Sequence, residues 1–394
     1  MNLNTCSIYP ACGPEAILYR LPVMYPVKLS VNTLKNKRPG GKPMQITVKA
    51  KLMPSKEQSQ LLKSTTREYI RLVNHVVSDC IDAGKTVKHT SATVSADLPS
   101  AVRNQAIRDG KSVYQKYKKT NIQSILKKPV CIWNNQNWSL KDGLLSFPVL
   151  IDGKSKRVII PVLMTDYQLQ RLTGKLGALR ITQKSDKWIA QIVVEAPELL
   201  NPGTKIMGVD LGLKVPAVGV IEDGKTRFFG NGRQNKYIKR KFRSHRKKLG
   251  KQKKLSAIRR LNNKEQRWMK DQDHKISRQI VDFAISQNIG IIRLEALSGI
   301  RQTARTSRKN EKNLHTWSFY RLAQYIEYKA RLAGIRLEYV KPEFTSQKCP
   351  MCGKLNKAKD RDYRCICGFH THRDRLGGIN IINAPVADGN SLSA

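Results

Sequence analysis

Acidic residues are what this chain has least of among its charged groups. Its 394 residues hold 29 Asp plus Glu against 73 Lys plus Arg, a formal net charge of +44. A folded chain with that excess repels itself unless a polyanion neutralises it, so the balance points to nucleic acid held through many phosphates. A merely soluble basic face accounts for a small positive charge and not for one of this size. Long apolar runs are also missing. No stretch of about 18 apolar residues occurs, so no membrane span is expected. The N-terminus, M-N-L-N-T-C-S-I-Y-P, lacks a charged region leading into an apolar one, and no secretory signal is expected. Of eight cysteines, four crowd into 349–367, while Cys6, Cys12, Cys80 and Cys131 are scattered. That distribution is not a disulfide framework and suits a reducing cytoplasm. There is no internal repeat and no evident Ser–His or Cys–His nucleophile pair.

The pattern along the chain predicts a multidomain α/β protein. Residues 1–43, with L-K-N-K-R-P-G-G-K-P, read as a flexible segment. Ile46 and Val48 alternate with polar residues and predict a strand. Ser55 and Gln58 form a capping box that opens a helix, with Leu61, Leu62, Tyr69, Leu72, Val73, Val76 and Val77 as its core stripe and Gly84 as its end. A second helix is expected around 98–118, facing inward through Val102, Ala106, Val113 and Tyr117. From 129 to 196 short apolar runs are punctuated by Asp142-Gly143 and Asp152-Gly153, turn pairs that predict a small antiparallel barrel into which the helices are inserted. Residues 233–278 hold nineteen Lys or Arg against three acids, Glu265, Asp271 and Asp273, with Phe242 and Trp268 interleaved. They read as a helix pair that contacts nucleic acid. The order β-β-β-α-β-α-β-α over the last half of the chain is that of an RNase H-like sheet.

In so basic a chain, a carboxylate inside an apolar strand wants a reason, because an unpaired buried charge is costly unless paired or coordinated. Three stand out: Asp210 in I-M-G-V-D-L-G, Glu295 in I-I-R-L-E-A-L and Asp374 in H-R-D-R-L-G-G-I-N. Strand alternation places Met207, Val209 and Leu211 on one face and Ile206, Gly208 and Asp210 on the other. Glu295 ends its strand. Asp374 opens a last helix, where the macrodipole favours its charge. Mg²⁺ takes oxygen ligands at ~2.0–2.1 Å, and two such ions can serve in-line displacement at a phosphodiester. The three acids are therefore expected to be both the catalytic residues and the Mg²⁺ ligands. The second constellation is Cys349-x2-Cys352-x12-Cys365-x-Cys367. Four thiolates in two knuckles suit structural tetrahedral Zn²⁺. The second knuckle is one residue short of the usual spacing, so His370 or His372 remains an alternative ligand.

H-T-W-S-F-Y-R-L-A-Q-Y-I-E-Y-K-A-R-L-A-G-I, P-E-F-T-S-Q-K-C-P-M-C-G and C-G-F-H-T-H-R-D-R closely resemble the TnpB family, nucleases encoded by insertion sequences and related to compact type V CRISPR effectors. The resemblance implies an RNA-guided DNA endonuclease that takes a guide RNA from the transposon end, reads a short motif beside the target and cuts double-stranded DNA with one RuvC-like site. It implies a wedge barrel at 44–54 and 126–200, a recognition insert at 55–125, a RuvC-like nuclease domain at 201–344 and 369–386, a zinc-ribbon target-binding module at 345–368 and a tail at 387–394. Asp210, Glu295 and Asp374 match the family's catalytic triad, and the four clustered cysteines its zinc ligands. The implied partners are guide RNA and target DNA, with the protein a monomer or dimer on the RNA. The implied location is the cytoplasm, at the nucleoid when acting on DNA. Two features depart from the pattern: D-R-L stands where D-x-N is usual, leaving Asn380 as the motif's second Asn, and residues 1–43 have no counterpart. A nuclease-inactive RNA-guided repressor, a compact type V CRISPR effector and a recombinase joining transposon ends are the competing readings; the repressor sits poorly with three retained acids.

The charge makes its own prediction. Affinity for RNA should fall by several orders of magnitude between about 50 and 200 mM salt, as for a protein making many phosphate contacts. A filter-binding salt titration measures this, and a flat response would remove the electrostatic reading.

Overall fold

A computed structural model describes residues 44–297 and 318–387, apart from 185, 198, 200, 202 and 262. The segment 1–43 and the tail from 388 onward, for which flexibility and a tail were expected, lie outside the described residues.

The first half is a seven-stranded antiparallel sheet with two helices against it. Its strands are β1 (Gln45–Leu52), β2 (Val130–Trp133), β3 (Ser139–Lys141), β4 (Leu144–Ile151), β5 (Lys154–Leu163), β6 (Leu176–Lys184) and β7 (Lys187–Glu195). The spatial order is β2-β6-β7-β1-β5-β4-β3. Asp142 (φ 47°), Gly143 (φ 73°), Asp152 (φ 51°) and Gly153 (φ 72°) adopt the left-handed backbone that tight hairpins need, as the D-G pairs predict. Of the expected small barrel the structure shows a curled, half-barrel sheet with β2 and β3 at its edges. These strands are only four and three residues long, and side chains span the gap in place of a ladder. Trp133 on β2 lies 4.7 Å from the Phe147 ring on β4 and donates to Pro148 O at 2.9 Å.

Helix α1 (Lys56–Asp82) starts on the complete Ser55–Gln58 capping box and is followed by Gly84 at φ 64°. Helix α2 (Ser100–Thr120) buries Val102, Ala106, Ile107, Gly110 and Tyr114. Tyr114 takes the inward place expected of Val113, because the stripe follows Ile107 and Gly110 rather than Ala106 alone. A Cβ at Gly110 would lie 2.7 Å from Val76 Cγ1, so the two helices touch at that glycine. Both helices share one core with the sheet, including Leu62, Tyr69, Leu98, Trp133, Phe147, Ile181 and Ile192. A short helix α3 (Asp166–Gln170), with its own capping box at Thr165, follows β5.

The second half is a five-stranded sheet of order β10-β9-β8-β11-β12, built from β8 (Lys205–Asp210), β9 (Ala217–Ile221), β10 (Thr226–Phe229), β11 (Ile289–Glu295) and β12 (Arg336–Val340). β8, β11 and β12 are parallel, while β9 and β10 run antiparallel to their neighbours. Helices α4 (Gly232–Lys251), α5 (Leu255–Leu261) and α6 (Lys264–Ser286) fill the basic stretch, and α7 (Phe319–Leu332) precedes β12. Met207, Val209 and Leu211 pack with Ile276 and Ile280 of α6 and Leu322 and Ile326 of α7. On the opposite face helix α8 (Arg373–Asn383) sets Ile379 and Ile382 against Ile206, Val218 and Val220. Among the described residues no helix is long and apolar enough to cross a membrane.

Helix α8 approaches the sheet through glycines. A Cβ on Gly208 would lie 2.2 Å from Gly378 O, and one on Gly378 would lie 2.4 Å from Val220 Cγ2. Because backbone rather than a flexible side chain blocks the position, Gly208→Ala should lower unfolding free energy by at least about 1–3 kcal/mol in a denaturant titration. Wild-type stability would mean that α8 does not sit on β8.

Candidate carboxylate site and cysteine cluster

Strand register brings the first two acids level. Leu294 pairs with Val209 across the parallel β11–β8 ladder, so Glu295 and Asp210 follow side by side at the strand ends. On β11, Ile292 and Leu294 enter the core of α6 and α7, which turns Arg293 and Glu295 to the face that α8 covers. Asp374 is the second residue of α8, only 4% exposed. The imidazole of His372, the residue before the helix, accepts from Asp374 N at 3.2 Å through Nδ1. Gly377, one turn on, lies so near Asp210 that a Cβ there would meet Asp210 Oδ2 at 2.9 Å. The three acids expected from the sequence thus converge on one edge of the sheet.

Their electrostatics agree with that convergence. Burial pushes the Asp210 carboxyl well above its ordinary 3.8, and the charges of Glu295 and Asp374 push it the same way against the pull of Arg373 and Arg361. Burial also raises Glu295, opposed by a hydrogen bond from Thr345. Two residues that sequence reasoning did not single out hold the outer acids. The Thr345 hydroxyl donates to Glu295 Oε1, and the Arg361 guanidinium donates to Asp374 Oδ1. Asp374 Oδ2 is buried with no hydrogen-bond partner among the described residues. A buried acceptor left without a donor, beside two further carboxylates, fits a hard divalent cation that prefers oxygen ligands. Thr345 stood in the quoted T-S-Q-K-C run, but its partner lies 50 residues away. Arg361 is one of 73 basic residues, and nothing local marks it.

The Sγ atoms of Cys349, Cys352, Cys365 and Cys367 all lie within 4.8 Å of one another, and none is in a disulfide. Cys349 and Cys367 are 3.6 Å apart, and Cys352 and Cys365 3.4 Å. Tetrahedral Zn²⁺ with Zn–S of ~2.3 Å needs sulfurs about 3.8 Å apart, so the donor set fits that ion. The backbone N–H of Cys367 helps to draw the Cys365 thiol down to about 6, while its neighbour Cys367 is pushed up to about 12 by hydrogen bonding within the same cluster, so the four sulfurs share their protons rather than each being a preformed thiolate. His370 is engaged with Asp362, and His372 caps α8, so neither histidine stands in for a thiolate in this arrangement.

The basic stretch separates cleanly by face. Helix α4 buries nothing but Gly232. Helix α6 buries Met269, Ile276, Ile280, Val281 and Ala284, and Arg246 of α4 pairs with its Glu265 at 2.6 Å. Trp268 and Phe242 are half-buried. Most of the remaining lysines and arginines face water.

The repulsion at the carboxylates has a pH signature. The folded value of Asp210 lies above 3.8, so between 3.8 and that value the folded protein binds more protons than the unfolded chain. The group therefore costs stability as pH rises through that window. Without divalent cations, Asp210→Asn should melt at a higher temperature than wild type near neutral pH, with the gain shrinking as pH falls toward about 4. Equal melting temperatures throughout would mean that neither burial nor neighbouring charge burdens Asp210.

Comparison with known proteins follows the same two regions. A family model described as "Probable transposase" matches residues 191–301, which contain Asp210 and Glu295. One described as "Cas12f1-like, TNB domain" matches 319–381, which contain the cysteines and Asp374. The CRISPR-associated endodeoxyribonuclease Cas12f1 of Sulfoacidibacillus thermotolerans is 26% identical over 261 residues, covering 60% of this chain and 58% of that protein. The TnpB-like protein MJ0751 of Methanocaldococcus jannaschii is 29% identical over 256 residues, covering 59% of this chain and 88% of that one. The chain thus spans little more than half of the first relative's length and most of the second's. In fold it is similar to the protein of a Cas12f1-sgRNA-target DNA complex, with TM-score 0.63, 17% identity and 84% of each chain covered. In sequence this chain is thus similar to TnpB-like proteins and compact type V effectors, and in fold to the protein of a Cas12f1 complex.

Proposed function

We propose that this chain is an RNA-guided DNA endonuclease that hydrolyses phosphodiester bonds of double-stranded DNA at the edge of the second sheet. The observation that carries the reading is the convergence of Asp210, Glu295 and Asp374 on one sheet edge, close enough for the other two to raise Asp210. The relatives named as endodeoxyribonucleases support it. In this reading 201–344 and 369–386 form a RuvC-like nuclease domain, 345–368 a zinc ribbon that contacts target nucleic acid, 44–54 and 126–200 a wedge, and 55–125 a recognition insert. Guide RNA and target DNA are its partners, and base pairing rather than protein side chains reads most of the sequence.

Asp210, Glu295 and Asp374 would hold two Mg²⁺ ions, and Cys349, Cys352, Cys365 and Cys367 one structural Zn²⁺. When bound, Mg²⁺ supplies the Lewis acidity that activates a water and stabilises the leaving oxygen. The chain's own residues do the rest. Asp210, the one of the three that feels the charge of both others, offers its carboxylate to the site. Thr345 and Arg361 each engage one oxygen of an outer acid, which fixes the direction of the other oxygen. The exposed cations of α4 and α6 hold the phosphate backbone along the approach to this edge. The low-dielectric floor made by Leu294, Val209 and α8 strengthens every charge interaction above it.

Replacing Asp210 by Ala should cut DNA cleavage by at least about 100-fold, the upper end of what loss of a mere supporting contact costs at a metal site. RNA binding should survive in the same variant. Retained cleavage would refute the assignment, and loss of RNA binding would make Asp210 structural. Sequencing the RNA that purifies with the protein from its native locus tests the guide: a discrete species ending at a transposon boundary is expected, and heterogeneous cellular RNA would count against it.

A further inference from the structure

The stretch between β12 and α8, residues 341–372, carries all four clustered cysteines and also reaches into the carboxylate site. Thr345, 5% exposed, donates to Glu295 Oε1. Arg361, between the two knuckles, donates to Asp374 Oδ1. A third tie runs back from α8. Asn380, on the helix that bears Asp374, donates from Nδ2 to Thr345 O at 2.7 Å and to Lys348 O at 2.8 Å. Lys348 adjoins Cys349, and its loop is held further by the Tyr363 hydroxyl, which donates to Gln347 O at 3.1 Å. Asn356 closes the path by donating to Cys365 Sγ at 3.2 Å. Hydrogen bonds made by Asn356, Tyr363 and Asn380, joined through the backbone of residues 345–348, therefore connect a cysteine sulfur to the carboxylate of Glu295.

We infer that the cysteine cluster and the carboxylates bind their cations with positive coupling, with Thr345 as the positioning residue of Glu295 and Asn380 as the clamp between the two sites. The inference rests on the reading of the carboxylates as a divalent-cation site. Its physical basis is ordering. With a metal shared by four thiolates, the loop 345–348 has a fixed end, and the Thr345 hydroxyl is held where Glu295 needs it. Without that metal the loop is tethered only by neutral hydrogen bonds, and the Glu295 side chain must be ordered by the incoming cation itself. That ordering cost appears as weaker binding. Linkage makes the effect reciprocal: whatever zinc gives to binding at the carboxylates, cation binding there gives back to zinc.

The experiment uses the full chain without nucleic acid and Mn²⁺ alone as probe, with free Mn²⁺ read by electron paramagnetic resonance. Binding abolished by Asp210→Asn is counted as binding at the carboxylates. Removing zinc with a chelator, then removing the chelator, should weaken that binding by about 10-fold or more, as loss of an outer-shell partner does. Thr345→Val should weaken it similarly while the cluster still holds zinc, and zinc removal should then add little. Thr345→Ser, which keeps the hydroxyl, should retain wild-type affinity. Asn380→Ala should lower Mn²⁺ affinity and also loosen Co²⁺ substituted into the cysteine cluster, read by its thiolate absorption. If the zinc-loaded wild type binds Mn²⁺ but neither Thr345→Val nor zinc removal changes the affinity, the coupling is wrong and the carboxylate site stands. If no Mn²⁺ binding depends on Asp210, the carboxylate reading itself falls and takes the coupling with it. Because the Thr345 variants are compared with zinc in place, unfolding on chelation does not obscure the result.

Discussion

Gathering three like charges at one edge of a sheet is unfavourable, and the close seating of α8 on β8 is what makes it possible. Gly208 and Gly378 let the helix backbone approach the strand directly, and Gly377 leaves room for the Asp210 carboxylate beneath it. A side chain at any of the three would lift the helix and carry Asp374 away from its neighbours. Burial first, and then the charges of Glu295 and Asp374, raise the Asp210 carboxyl. That repulsion is also the reason a divalent cation would bind well there, since it turns three mutually repelling groups into a common ligand set.

Positive charge and apolar packing are kept apart by helix face. Helix α6 lays an apolar stripe on the sheet and turns its lysines outward, while α4 rides above it with almost nothing buried. Where polar groups are enclosed between α6 and α7 they are paired. Asp273 accepts from Arg321 Nε at 2.7 Å and from Ser318 at 3.3 Å. Lys329 donates to Ser277 at 2.6 Å, and burial brings its ammonium down to about 8. The two helices are thereby fixed to each other by polar contacts that only one register satisfies, beneath a surface free to meet a polyanion.

What could be read from the sequence was whatever neighbouring residues decide. The Ser55–Gln58 box, the two D-G turns, the alternation that turns Gly208 and Asp210 away from Met207 and Val209, and the cysteine spacing all express local geometry, and the structure bears them out. The three acids drew attention because acids are scarce and these sit at the ends of apolar runs, and the structure brings them to one sheet edge. Long-range choices were hidden. Which base among so many meets Asp374, and which hydroxyl meets Glu295, depend on how distant loops dock. The inward turn of Tyr114 depends on α1 pressing against Gly110. Which strands of the first sheet end as edges was hidden too, because alternation alone does not reveal which strands pair.

The first sheet holds one further consequence. β1 pairs with β7 along its whole length, and β4 with β5 along theirs, but β1 meets β5 only at Lys51–Leu163 and Leu52–Val162. Mechanically this is a bound book with a narrow spine: two stiff covers, β2-β6-β7-β1 and β5-β4-β3, joined at one corner. Twisting one cover against the other strains the few ladder hydrogen bonds at that corner, each worth about 1 kcal/mol, together with the Trp133–Phe147 contact and the Trp133–Pro148 hydrogen bond that bridge β2 to β4, whereas bending either cover breaks a full ladder. In backbone terms the two covers meet along one short line, and what holds them to a common curvature is the side-chain core enclosed between them.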